Sequence, residues 1–148
     1  MTVLFRPAAR DEVPAVVALL ADDILGQARE TTDPAPYLSA FDAMLRQSEN
    51  HLIVGLSGDR LVACYQLIFI PGLSAKATLR AQIEGVRVAS DLRGRGIGAL
   101  LVADAEARAR AAGCGQMQLT TNRTRMDAHR FYDRLGFTPS HIGYKKTL

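Results

Sequence analysis

Cysteine and histidine are scarce in this sequence, which holds two cysteines and three histidines among 148 residues. Cys64 and Cys114 lie far apart, without a Cys-x-x-Cys pair or a histidine spacing typical of zinc sites. Cys64 lies in an apolar stretch and is predicted to be a small core residue. His51 and His141 could line a pocket, but structural or surface roles are favoured. We therefore expect no metal site, and no Ser-His-Asp or Cys-His pattern indicates a nucleophile.

Long apolar runs are also missing. The longest, Leu61–Ile70, is interrupted by Gln66 and is too short to span a bilayer, which takes roughly 20 residues. The N-terminal residues include no apolar segment typical of a signal peptide. These absences predict a cytoplasmic protein without a membrane partner.

Charge of one sign is not in large excess. The net charge is +3, with 22% charged and 6% aromatic residues. The sequence has no contiguous basic stripe and no aromatic stacking platform, so nucleic acid is not a predicted partner. A hydrophobic content of 48% over this length is typical of one globular domain, predicted to cover residues 1–148.

Apolar periodicity predicts strands alternating with helices, and therefore a mixed α/β fold. The predicted strands are Thr2–Arg6, His51–Leu56, Arg60–Ile70, Thr78–Val88 and Gln116–Thr120, and Phe137–Leu148 is predicted to form a terminal strand or a pair of strands. The predicted helices are one capped by Asp11, followed by Tyr37–Gln47, Gly96–Ala112 and Met126–Leu135. Gly26–Pro36 is predicted to be a loop, and Ser57–Gly58–Asp59 a hairpin turn.

A glycine-rich loop between a strand and a helix carries the main chemical signal. Its sequence, Arg93-Gly94-Arg95-Gly96-Ile97-Gly98, opens directly into the helix. Glycines allow close approach of backbone N–H groups, and a helix N-terminus attracts anions. No Gly-Lys-Ser/Thr follows, which excludes a P-loop, and no acid stands where a dinucleotide site needs one. The loop is either a phosphate site or a plain helix cap with two incidental arginines.

Two motifs in order resemble the GNAT superfamily of N-acetyltransferases. The loop resembles the family's acetyl-CoA motif through Arg93, Gly96 and Gly98, and the later helix resembles its second element through Tyr132 and Gly136-Phe137. The resemblance extends over essentially the whole chain. It implies a mostly antiparallel mixed sheet, splayed at the acetyl-CoA site and flanked by about four helices.

The resemblance implies transfer of an acetyl group from acetyl-CoA to a primary amine, by direct attack in a ternary complex. A non-catalytic acyl-CoA-binding or sensory module is the alternative. In the family, loop amides bind the CoA pyrophosphate, and the backbone of the preceding strand contacts the thioester or pantetheine. The residues at these positions are Val86, Val88, Arg93, Gly94, Arg95, Gly96, Ile97, Gly98 and Ala99.

The resemblance also assigns two proton-transfer roles. Tyr132 occupies the position of the family's general acid for the leaving thiolate; a packing role is the alternative. Glu84 is the best-placed general base, although it could instead be an edge carboxylate paired with Arg80 or Arg87. His129 and Arg125 share the helix face of Tyr132 and are expected near the cofactor. Arg125 stands where the family often has Asn, so it could reach a CoA phosphate or an acidic substrate group.

The acceptor is not specified by the sequence. In the family it is recognised by the first helices and their loop, here about residues 24–42, and by the C-terminal strands. The acids in and near this part are Asp22, Asp23, Glu30, Asp33 and Asp42. They are compatible with a cationic amine and equally with a solvated surface. Small amines and peptide or protein amines stay open as acceptors, and so does a homodimer.

Overall fold

A five-stranded mixed sheet organises the computed structural model, which describes residues 1–148 except for the side chain of Ile24. The strands are β1 (Leu4–Pro7), β2 (Asn50–Ser57), β3 (Arg60–Ile70), β4 (Arg80–Val88) and β5 (Gln116–Leu119). The helices are α1 (Val13–Ala21), α2 (Ile24–Arg29), α3 (Ala35–Leu45), α4 (Ile97–Ala111) and α5 (Met126–Arg134). Short 3₁₀ turns at Arg10–Glu12 and Ser90–Leu92 precede α1 and the glycine-rich loop.

The strands lie in the order β1-β2-β3-β4-β5, antiparallel up to β4 and parallel between β4 and β5. The parallel pair is short, since Arg80–Ile83 pairs with Gln116–Leu119 and β5 then ends. β4 continues to Val88 paired with β3 only, so the sheet opens on the side of β5. This confirms the expected mixed fold with splayed parallel strands.

Alternation along β3 separates the two faces of the sheet. Tyr65 and Leu67 point towards α4, and the Tyr65 hydroxyl donates to Asp104 of that helix. Cys64 and Gln66 point to the opposite face, where α1 packs on β3 and β4. The core is apolar on both sides, and its least exposed side chains are Tyr65, Ile53, Leu67, Ile83, Leu101, Val54, Val62 and Cys64.

Cys64 is a core residue, as predicted. Its thiol donates to the Gly85 carbonyl oxygen over 3.7 Å, and burial raises its pKa to about 12. The thiol is therefore uncharged and inert at neutral pH.

The predicted strand over Phe137–Leu148 is wrong, because no helix or strand follows Arg134 in the described chain. Pro139 lacks an N–H group, and Ile142 and Tyr144 are 80% and 91% exposed. Apolar character alone therefore does not make this segment a strand, although the outer edge of β5 is unpaired.

Two helix predictions also need correction. Asp11 does not cap α1, which begins after Glu12 without a side-chain cap. The predicted loop Gly26–Pro36 overlaps α2, because the Asp23 carboxylate accepts from the Gly26 N–H and starts a short helix there. The described chain thus has five α-helices of six or more residues, against about four expected.

Candidate active site

The open end of the sheet forms a cleft. Its near wall is Glu84–Val88, the part of β4 that pairs with β3 but not with β5. Its far wall is the segment from the end of β5 into α5. Ala89 donates its N–H to the Val62 carbonyl oxygen over 2.8 Å, on the β3 side. Backbone groups alternate in direction along a strand, so those of Val86 and Val88 face the cleft.

Two arginine side chains donate hydrogen bonds to the cleft-facing carbonyl oxygens of β4. Arg87 Nη1 donates to the Val86 carbonyl oxygen over 2.8 Å, and Arg93 Nε donates to that of Val88 over 3.2 Å. The carbonyl oxygens are thereby engaged, while the N–H groups of the same residues point into the cleft. Fixed N–H groups of this kind can bind an acyl oxygen and stabilise negative charge on it.

The glycine-rich loop leads from β4 into α4. Gly94 and Gly96 have φ of 77° and 82°, a left-handed conformation that favours glycine. Gly96 is the N-cap of α4, and no side chain caps the helix, so its first N–H groups are open to an anion. Arg95 is exposed beside the loop, whereas Arg93 also donates to the Asp22 carbonyl oxygen over 2.7 Å. The Arg93 side chain thus joins the loop to the end of α1.

Gly98 connects the loop to α5. A Cβ at this position would lie 3.1 Å from Phe131 Cζ and 3.4 Å from Cε2. The Phe131 ring therefore packs directly on the first turn of α4. This contact holds α5, and Tyr132 with it, beside the glycine-rich loop.

Tyr132 is half-buried between aromatic rings. Its ring centroid lies 5.0 Å from that of Phe131 and 5.7 Å from that of Phe137, in edge-to-face arrangements. Burial raises the pKa of Tyr132, and the charges of Arg125 and Arg87 oppose that rise without cancelling it. The phenol is therefore protonated at neutral pH and can donate a proton.

Glu84 is exposed at the mouth of the cleft, on the face that carries α1–α3. Gln82 Nε2 donates to Glu84 Oε1 over 2.6 Å, and Gln118 Nε2 donates to Gln82 Oε1 over 2.8 Å. Arg80 Nη1 donates to Gln118 Oε1 over 3.3 Å and completes the chain. The ion pair considered for Glu84 is absent among the described residues, because Arg80 binds Gln118 and Arg87 binds Asp23.

A β-bulge brings Glu84 and Arg87 to one face of the sheet. Their partners on β3 are Gln66 and Cys64, which lie two positions apart and therefore point the same way. The extra residue is accommodated around Gly85, whose φ is 58°. Sequence reasoning missed this arrangement, although a glycine inside a predicted strand is a signal for a bulge.

Arg87 forms an almost buried ion pair with Asp23. Its Nε lies 3.0 Å from Asp23 Oδ2, and the side chains are 11% and 13% exposed. Burial raises the pKa of Asp23, but the Gly26 N–H and the charges of Arg87, Arg125 and Arg29 together hold it below its usual range. Three guanidinium groups therefore lower the pKa of one carboxylate, and the charges of Arg125 and Arg87 also act on Tyr132.

The remaining candidate residues are His129, Asn122, His51 and His141, and each has a contact within the chain. His129 lies on α5 and its Nε2 is 2.9 Å from the Asn122 carbonyl oxygen, to which the Nε2–H tautomer donates. Asn122 Oδ1 accepts from Thr124 N and Oγ1, so its oxygen supports the turn before α5. The ring centroids of His51 and Phe69 lie 5.4 Å apart, and His141 Nδ1 is 2.7 Å from Ser140 Oγ.

The acids that were compatible with a cationic acceptor all have partners within the chain. Asp22 accepts from Ser90 N, Asp33 from Ala35 N and Glu30 from the Tyr37 hydroxyl. Asp42 pairs with Arg10 at 2.9 Å, as Asp23 does with Arg87. These contacts give them structural roles.

The described residues include no cluster of three or more His, Cys, Asp or Glu side chains able to hold a metal ion. None of the described helices is long and apolar enough to cross a membrane.

Comparison with known proteins identifies the family. The model of the Acetyltransferase (GNAT) family matches residues 16–137. Aminoalkylphosphonate N-acetyltransferase of Salmonella typhimurium is 32% identical over 97% of this chain and 90% of that protein.

Solved structures share the fold. The crystal structure of a transcriptional regulator from Bacillus halodurans has 42% identity and a TM-score of 0.96, covering 99% of this chain and 100% of that one. A structure of AAC(6')-Iy with a CoA bisubstrate analog has 15% identity and a TM-score of 0.80, covering 100% of both chains; at this identity it shows the fold alone. The chain belongs to the GNAT family and is an N-acetyltransferase.

Proposed function

We propose that the chain transfers an acetyl group from acetyl-CoA to a small primary amine by direct attack in a ternary complex. The observation that carries the proposal is the unpaired edge of β4. It presents the N–H groups of Val86 and Val88 between the uncapped start of α4 and the Tyr132 phenol. A thioester bound along this edge would lie within reach of all the groups that the reaction needs.

Acetyl-CoA fits the cleft through its phosphates and its pantetheine arm. The pyrophosphate would bind the N–H groups at the start of α4 and the exposed Arg95, because both attract anions. The binding set that we propose for acetyl-CoA is Val86, Val88, Arg93, Gly94, Arg95, Gly96, Ile97, Gly98, Ala99 and His129, whereas Arg125 is assigned to an acidic group of the acceptor. Within it, the Arg93 side chain acts indirectly, since it holds β4 and α1 in place.

A side chain in the cleft is assigned to each of the two proton-transfer steps. An aliphatic amine has a pKa of about 10 and must lose a proton before it attacks, a task for Glu84, directly or through water. Negative charge on the thioester oxygen is stabilised by the β4 N–H groups. Tyr132 then donates its phenolic proton to the leaving CoA sulfur. No covalent enzyme intermediate is needed, in keeping with the inert Cys64.

A small acceptor is favoured over a protein amine by one relative. The Salmonella typhimurium protein acts, by its name, on aminoalkylphosphonates, and it aligns with nearly the whole chain. We therefore propose short aminoalkyl compounds as the acceptor class.

The test is an acetyl-CoA assay with the purified chain, in which released CoA is titrated with DTNB and the product is identified by mass spectrometry. Acceptors are aminoalkylphosphonates, amino acids, polyamines, aminoglycosides and peptides. Acetylation of a small amine supports the proposal. Binding of CoA without turnover of any amine would instead support a sensory module, an alternative suggested by the name of the Bacillus halodurans protein.

A further inference from the structure

Three buried polar side-chain atoms have no hydrogen-bond partner among the described residues. They are Asp23 Oδ2, Arg87 Nε and Thr121 Oγ1. The first two lie close enough for an ion pair but are not aligned for a hydrogen bond. Thr121 follows the end of β5, so it lies on the wall opposite β4. Asp23 Oδ2 and Arg87 Nε therefore offset each other's charge, whereas Thr121 Oγ1 has no partner. Folded proteins leave few such atoms unpaired, and a polar ligand in the cleft would explain the Thr121 hydroxyl.

The same place carries an excess of positive charge. Arg87 pairs with Asp23, and the charges of Arg125 and Arg29 also lower the pKa of Asp23. Arg29 lies on α2, the helix that Asp23 caps, and Arg125 lies at the start of α5, the helix of Tyr132. Arg29 and Arg125 are exposed, and neither forms an ion pair among the described residues. The three guanidinium groups carry three positive charges, whereas the carboxylates of Asp23 and Glu84 carry two negative ones. We call Arg29, Arg87, Arg125 and Thr121 the arginine pocket.

From this arrangement we propose that the arginine pocket binds an anionic group of the acceptor, a phosphonate or a carboxylate, and thereby selects amines that carry one. The proposal rests on the proposed acetyl transfer and adds the acceptor's charge to it. Guanidinium groups bind such anions through paired N–H donors, and the Thr121 hydroxyl offers another donor. Asp23 holds the Arg87 guanidinium in position.

The position of the pocket fits this role. Glu84 and Arg87 project from the same face of β4, within about 10 Å of strand. An acceptor held by its anion near Arg87 would place an amine near Glu84 if a short aliphatic spacer separates the two groups. The cofactor pyrophosphate has its own site at the start of α4. The charges of Arg125 and Arg87 instead act on Tyr132, which the proposed mechanism places at the thioester end.

The test compares matched acceptors with the purified chain. 2-Aminoethylphosphonate and β-alanine carry the two anions, while ethanolamine and propylamine are neutral. We expect kcat/KM to be about 10–100-fold higher for at least one of the two anionic amines than for the neutral ones. Equal kcat/KM for all four amines would overturn the inference while leaving the acetyl transfer intact.

Arg125→Gln is the decisive variant, because Arg125 is exposed and its loss should leave the fold intact; Arg110→Gln, on the outer face of α4, is the control. We expect Arg125→Gln to raise KM for the preferred anionic amine about tenfold or more, with little change for propylamine and for acetyl-CoA. A rise confined to the KM of acetyl-CoA would assign Arg125 to the cofactor and contradict the inference.

Calorimetry with 2-aminoethylphosphonate and β-alanine separates this inference from the proposed function. If no amine is acetylated but one of these compounds binds the chain and binds Arg125→Gln at least tenfold more weakly, the proposed transfer fails while the anion site stands. Absence of both binding and turnover overturns both.

Discussion

Arg87 Nε lies 3.0 Å from Asp23 Oδ2, and this ion pair joins the start of α2 to the end of β4 that does not pair with β5. Asp23 also caps α2, so one carboxylate fixes both the helix and the guanidinium at the cleft. We expect this ion pair to contribute both to the stability of the fold and to the proposed binding of the acceptor.

Asp23→Asn should destabilise the fold by about 1–3 kcal/mol at neutral pH, because Arg87 keeps its charge and loses its counter-ion. The pKa of Asp23 is lowered in the folded chain, so its contribution is present above the ordinary carboxyl pKa of about 4 and is lost as pH falls through the folded value. Urea unfolding at several pH values measures the difference.

Asp59→Asn, at the exposed hairpin turn, is the matched control and should change stability little at any pH. An Asp23→Asn penalty that stays constant from neutral to acidic pH would mean that the ion pair does not stabilise the fold.

Tyr132→Phe should lower kcat by about 100-fold with little change in acetyl-CoA affinity, since a positioned proton donor contributes about that much or more. Burial raises the pKa of Tyr132, so the wild-type rate should hold on the alkaline side until above pH about 10. Stopped-flow assays across pH test both statements. A Phe variant with normal kcat would show that Tyr132 only packs.

Glu84→Gln should lower the rate most near neutral pH, because the amine acceptor is largely protonated there and needs a base.

Gln82→Leu should lower the acetylation rate about three- to tenfold, since it removes the hydrogen bond that orients the Glu84 carboxylate. Gln82→Glu is a further check, because a second carboxylate would repel the first. An unchanged pH–rate profile in Glu84→Gln would exclude Glu84 as the base.

Gly98→Ala should raise KM for acetyl-CoA several-fold, because the new methyl group pushes Phe131 and α5 away from the loop. Stability should change little, since alanine improves the helix by up to about 1 kcal/mol and offsets the crowding. Phe131→Leu combined with Gly98→Ala makes room for the methyl group and should restore part of the affinity. A single variant with normal KM would show that the contact is not needed.

The glycine-rich loop and Tyr132 could be predicted from the sequence because each belongs to a local pattern. Gly94 and Gly96 do adopt left-handed conformations at the start of a helix, and Tyr132 lies on the helix predicted for it. The opening of the parallel strands followed from the same resemblance.

The arginine pocket could not be predicted in this way. Arg87 and Asp23 are 64 positions apart, and their contact depends on the bulge at Gly85 and on a short helix inside a predicted loop. The tail after Arg134 shows the opposite error. Its apolar residues resemble a strand, but a strand also needs backbone pairing with a neighbour, and sequence patterns do not reveal whether that pairing forms.

Direct acetyl transfer in one cleft is best tested by initial-rate kinetics in which the concentrations of both substrates are varied. With acetyl-CoA and an accepted amine, the account predicts double-reciprocal lines that intersect, and one acetylated amine for each CoA released. Parallel lines, or CoA released before the amine is added, would indicate a covalent acetyl-enzyme and contradict the account.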